Sequence, residues 1–166
     1  MEAEPILEVY AQLAVLIVGL SGIVAVAGNR ATGGWQVADY ARFWTMIGSG
    51  FSLLFQSIFP IILLHFSLAP HAVWVSSSIA AAPIVCGQLY WRWVLSKRAR
   101  LDPKHNLVIW WSNNVLQIAV FVILALNAVG LGFKGTFAPY LLAMSLVLAQ
   151  SCTAFIRLLI VALPRS

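Results

Sequence analysis

Long apolar stretches separated by short polar segments make up nearly the whole chain. Five stretches stand out, at about 6–27, 42–66, 71–95, 107–129 and 137–163. Each approaches or exceeds the ~20 residues that a helix needs to cross the hydrocarbon core of a bilayer. The pattern predicts an all-α polytopic membrane protein, with residues 1–166 forming a single transmembrane domain of five spans.

Pro60 lies inside the second stretch and Pro83 inside the third. Spanning helices accept proline because neighbouring groups satisfy the freed carbonyls, so a bend is expected at each. The connections are short. Residues 66–71 form a tight turn containing Pro70, and residues 130–136 (GLGFKGT) form a glycine-rich one. Segments 28–41 and 96–106 are longer, but neither is large enough for a soluble domain.

Charge then sets a direction. The chain opens on an acidic run, Met1-Glu2-Ala3-Glu4-Pro5, and its first basic residue, Arg30, follows the first stretch. A cleaved secretory signal would begin with a positive segment. The expectation is an uncleaved anchor with an exported N-terminus. Of the 10 Lys and Arg, all but Lys134 then fall in or beside the first loop, the third loop and the C-terminus: Arg30, Arg42, Arg92, Lys97, Arg98, Arg100, Lys104, Arg157 and Arg165. The positive-inside rule makes that side cytoplasmic. Trp35, Trp44, Trp91, Trp93, Trp110 and Trp111 fall near the same interface, where indole rings anchor helices at headgroup level.

Composition agrees with a lipid environment. Hydrophobic residues make up 61% of the chain and charged residues 9%, against about 25% charged in a soluble domain. A net charge of +5 raises the question of nucleic acid. The basic residues flank apolar spans and no nucleic-acid motif accompanies them, so no such partner is expected. Cys86 and Cys152 lie within apolar stretches and read as small buried hydrophobes.

Polar residues inside the spans mark the faces that turn away from lipid. In the first, Ala11, Ala14, Val18, Ser21 and Ala25 form a stripe of mostly small residues suited to close helix packing. The second carries Thr45, Ser49, Ser52 and Gln56, and the third Ser77, Ala81, Ile84 and Gln88. The fourth carries Asn106, Asn113, Gln117 and Asn127, and the fifth Gln150, Thr153 and Arg157. Counting from span ends places Gln56, Gln117 and Gln150 near mid-membrane, with Gln88 and Asn113 nearer the cytoplasm. Gln56, Gln88, Asn113, Gln117, Gln150 and Arg157 are therefore the candidate polar core. They either hydrogen-bond across helices or line a hydrated path.

Several chemistries lack their residues. No Asp or Glu falls in the middle of a span, whereas proton- and cation-coupled transport generally uses an embedded ionisable relay. Arg157 is the deepest charge by position and can snorkel to the headgroups. His65 and His71 bracket one turn and could ligate a metal or haem, although haem ligands more often come from deeper positions. Ser76, Ser77 and Ser78 have no acid or His beside them, and no GxSxG, HExxH or phosphate-binding loop occurs. No Cys/His spacing suits zinc. An odd number of spans and no internal repeat argue against an inverted-repeat transporter.

The reading is a non-enzymatic integral membrane subunit, with no catalytic residue, metal or cofactor assigned. Its expected partners are the lipid bilayer and either itself or other membrane subunits, in an oligomer or larger membrane complex. The expected location is a cell membrane, the bacterial inner membrane. Two other readings stand beside it. One is an oligomeric channel or permease lined by the polar faces of the second and fourth spans. The other is a binding protein for a quinone, pigment or haem.

Overall fold

The protein is described by a computed structural model over residues 3–32, 37–99 and 107–162. It is all-helical, with α1 at Ala3–Thr32, α2 at Val37–His65, α3 at Pro70–Ala99, α4 at Leu107–Val129 and α5 at Phe137–Ala162. All five are long and apolar enough to cross a membrane. The longest have 30 residues, about 45 Å at 1.5 Å per residue. Both α2 and α3 run unbroken through their internal prolines, Pro60 and Pro83.

Helices α2, α3, α4 and α5 form a ring in that order, each antiparallel to the next, and α5 closes back onto α2. Helix α1 lies outside this ring. It packs on α2 and α5, and among the described residues it meets neither α3 nor α4. The first-span stripe is used here, within one chain. Ala14 and Ser21 are buried, Ala11 is half-buried, and Leu7, Ile17 and Val24 complete the packed face. Ala25's side chain lies outside the described set. Across from the stripe, a Cβ on Gly50 would come within 2.7 Å of Val18 and 3.7 Å of the Ala14 carbonyl. Only glycine permits α1 and α2 to approach this closely.

The two tight turns lie at one end of the bundle. The first is shorter than the sequence suggests, because Pro70 opens α3 instead of lying in the turn. Proline suits a first helical position, where its missing N–H costs nothing. Ser67 turns the chain at φ 55. At the end of α4, the Leu131 amide bonds the Leu126 carbonyl at 3.0 Å and the Gly130 amide bonds Asn127 at 3.3 Å. This is a Schellman ending with glycine at the left-handed position, φ 74.

A main apolar core fills the bundle from Leu7 and Leu53 through Val73, Val85, Val120 and Leu124 to Met144 and Val147. Trp74 sits within it, its ring 4.8 Å from Phe137 and 5.8 Å from Tyr140. Outward surfaces are apolar as well, as in Val15, Leu16 and Ile23 of α1 and Val115, Ile118 and Val122 of α4. Cys86 and Cys152 belong to these outward surfaces. Both are exposed free thiols, contrary to the expectation of buried hydrophobes. A stretch that is apolar on all sides gives no local sign of which side a small residue takes.

Candidate functional site

One glutamine from each helix of the ring, Gln56, Gln88, Gln117 and Gln150, turns into the bundle, and three of them (Gln56, Gln117 and Gln150) have no exposed surface. Gln117 donates to the Gln88 side-chain carbonyl at 2.7 Å, and Gln88 donates to the Gly48 backbone carbonyl at 2.7 Å. This relay crosses from α4 through α3 to α2. On the far side, Gln150 donates to the Asn113 carbonyl at 2.6 Å, and Ser151 donates to Ser49 at 2.6 Å. Gln56 stands apart, donating to Ser52 at 2.9 Å, while its own backbone carbonyl accepts from Tyr140 at 2.9 Å.

These pairings correct the depths read from span ends. Gln117 pairs with Gln88, and Gln150 with the Asn113 carbonyl one turn nearer the start of α4, so Gln88 and Gln150 each sit beside a residue that the count from span ends placed at another depth. Counting along separate helices ignores their stagger in the bundle. Asn113 contributes through its backbone carbonyl, which accepts from both Gln150 and Arg92. The neighbouring Asn114, passed over in the sequence, is the more buried of the two. Thr153, placed on the polar face of the fifth span, is exposed and bonds its own helix at Ala149. Ser151 occupies the inward position instead.

The buried polar groups of the bundle are incompletely paired. The side-chain carbonyls of Gln56, Gln117 and Gln150 and the Ser77 hydroxyl are buried without a partner. A buried acceptor left unmade costs roughly 1–3 kcal/mol, more than the ~0.6 kcal/mol an average interhelical bond returns in a membrane protein. The glutamines are thus poorly explained as glue alone. Gln56, Gln117 and Gln150 each have a side-chain carbonyl without a partner, whereas that of Gln88 accepts from Gln117.

Arg92 is the second departure from the sequence reading. Its position near a span end places it among the interfacial basic residues, with Arg157 further from the interface by sequence. Instead Arg92 is 8% exposed, whereas Arg157 is half-buried near Arg42 on α2. Helical phase decides this, because Arg92 falls one turn after Gln88 on the same inward face. Beside it, a groove of about 320 Å³ opens between α2 and α3. Trp44 and Trp91 stand along it, 6.4 Å apart edge to face, and Gly48 and Gly87 also line it.

The other tryptophans divide. Trp93 and Trp111 are exposed, and Lys97 lies 3.6 Å over the Trp93 ring. Trp35 and the Trp110 side chain lie outside the described residues, as do the side chains of Arg30, Arg98, Arg100, Lys104 and Arg165. Trp74 was assigned no role from sequence and is a core residue.

At the turn end, Asn127 donates to Ser78 at 3.0 Å and to the Thr136 carbonyl at 3.2 Å, and accepts the Thr136 amide at 3.1 Å. His71 holds the same loop through the Lys134 carbonyl at 3.1 Å. His65 lies 4.0 Å from Glu4. The two histidines serve separate contacts, and among the described residues no group of three or more His, Cys, Asp or Glu converges as a metal site.

No family model, curated protein or solved structure matches this chain.

Proposed function

We propose that the protein is a multi-pass integral membrane protein, with its N-terminus exported and its C-terminus cytoplasmic, serving as a non-enzymatic subunit of a membrane assembly. The observation that carries this reading is the inside-out distribution of polarity. Amides and hydroxyls of α2–α5 point into the bundle, while the outward surfaces carry Val, Ile, Leu and Phe. Water would penalise such a surface, and hydrocarbon does not. The basic residues along one side of the sequence support the orientation, and a bacterial inner membrane is the proposed location.

The polar faces favour the subunit reading over an oligomeric channel. Gln56 and Gln117 are enclosed by their own chain, so they offer nothing to a pore between copies. With turns as short as the α2–α3 and α4–α5 connections, the working surface is the apolar side of the helices. That surface suits contact with lipid or with other spans.

Alkaline carbonate extraction tests insertion, and recovery of the chain in the soluble fraction would refute it. Orientation is tested with Cys86 and Cys152 replaced by Ala and single cysteines placed at Glu2 or Arg165. Membrane-impermeant maleimide should label Glu2→Cys from outside and Arg165→Cys only after permeabilisation. Subunit behaviour is read from the mass of the gently solubilised protein. A lone, detergent-independent monomer argues against it.

A further inference from the structure

We propose that the groove between α2 and α3 binds an anionic phospholipid, with the lipid phosphate at Arg92 and part of an acyl chain between Trp44 and Trp91. The site rests on the reading of the chain as a membrane protein and adds a specific ligand to it.

The argument starts from charge. A guanidinium carries five N–H donors in a rigid fork. Arg92 makes one hydrogen bond, to the Asn113 carbonyl at 3.3 Å, and no ion pair among the described residues. Glu4 and Glu8 cannot reach it, because both lie near the start of α1, where Glu4 meets His65 at the turn end. Arg92 lies near the opposite end of α3. Among the described residues no carboxylate pairs with Arg92. A buried cation is costly without an anion beside it, and a phosphate placed against the fork relieves that cost through paired hydrogen bonds.

The rest of the groove selects the form of the anion. Thr45 is already bonded to the Ala41 carbonyl, and Gln88 donates to Gly48 and accepts from Gln117, so Arg92 is the charged donor that the groove offers a ligand. The other surfaces are indole rings, Ile84 and glycine backbone. Apart from the indole N–H groups these surfaces are apolar, and they suit hydrocarbon better than a free phosphate ion. A volume of about 320 Å³ accommodates a segment of one chain, being near the lower limit of ~300–1,000 Å³ for small-molecule pockets. Indoles at Trp44 and Trp91 also mark headgroup depth, which places the phosphate and the start of the chain at matching heights.

Gly87 supplies a clean probe. Gly87 lines the groove and a Cβ there meets nothing within 4 Å, so a side chain can be added at the groove wall without a clash at its first carbon.

The test uses the full chain purified in detergent, with phosphatidylglycerol or phosphatidylcholine added and retained lipid measured by native mass spectrometry. Wild type should retain phosphatidylglycerol in preference to phosphatidylcholine, and excess inorganic phosphate should not displace it. Arg92→Gln should weaken phosphatidylglycerol retention at least about fivefold and abolish the preference. Arg92→Lys should keep much of the preference. Gly87→Leu should lower retention of both lipids. Equal retention of the two lipids by wild type overturns the proposal without any variant. So does displacement by inorganic phosphate, or unchanged phosphatidylglycerol binding in Gly87→Leu or in folded Arg92→Gln. Carbonate extraction separates the two readings. Loss of lipid selectivity in a chain that stays membrane-bound removes this site alone, whereas release of the chain removes the membrane reading.

Discussion

Asn127 and Gln117 are both fully buried amides on α4, yet the structure uses them differently. Asn127 commits both its donor group and its carbonyl, tying α3 and the start of α5 to the turn end. Gln117 commits its donor to Gln88 and leaves its carbonyl unpaired. Gln150 repeats that half-use on the facing helix. A fully engaged buried amide acts as a fastener. A half-engaged one retains capacity, and the layer containing it borders the buried Arg92 and the groove. The turn end therefore holds the architecture, while the other end is where a ligand or partner could be recognised.

That contrast predicts a graded series, measured by thermal unfolding in detergent micelles. Asn127→Leu should be the most damaging, at about 2–3 kcal/mol, since three hydrogen bonds go at once and the partners are left behind. A loss below that of Gln117→Leu would reverse the assignment of the two regions. Gly135→Ala comes next, at about 1–3 kcal/mol. Its φ of +59 disfavours a side chain, and an added Cβ would collide with the His71 ring and Val75.

Gln117→Leu should change stability by less than about 1 kcal/mol. It removes one unpaired carbonyl and creates another on Gln88, so the two changes offset each other. A large loss would show that the layer is a fastener too. Leu16→Phe should have the smallest effect, within about 0.5 kcal/mol. Leu16 is 58% exposed on the outward side of α1 and belongs to neither region. A bigger change there would point to a packed partner on that face.

Much of the site was visible in the sequence because spans contain few polar residues, and Gln56, Gln88, Gln117 and Gln150 stand out against Val, Leu and Ile. Their inward orientation follows from the cost of leaving an amide in hydrocarbon. Arg92 was missed because basic residues near span ends usually reach the interface. Its place one turn beyond Gln88 was the available signal. Trp74 was missed for a similar reason: an indole near a span end has two suitable environments, interface and core, and sequence does not separate them.

The sequence by itself determined five helices, their limits to within a few residues, and which residue types require shelter from lipid. Those follow from local properties: apolar length, glycine and proline at the turns, and the cost of desolvating polar groups. Only the tertiary structure decided that α1 lies outside a ring of four, that Gln117 meets Gln88 while Gln150 meets Asn113, that Cys86 and Cys152 face outward, and that Arg92 turns in beside a groove. The physical reason is that helix stagger and neighbour choice depend on how side chains from separate spans fit together. Gly50 allows α1 to approach α2, and Asn127 fixes the α4–α5 turn against α3. No single span encodes those meetings.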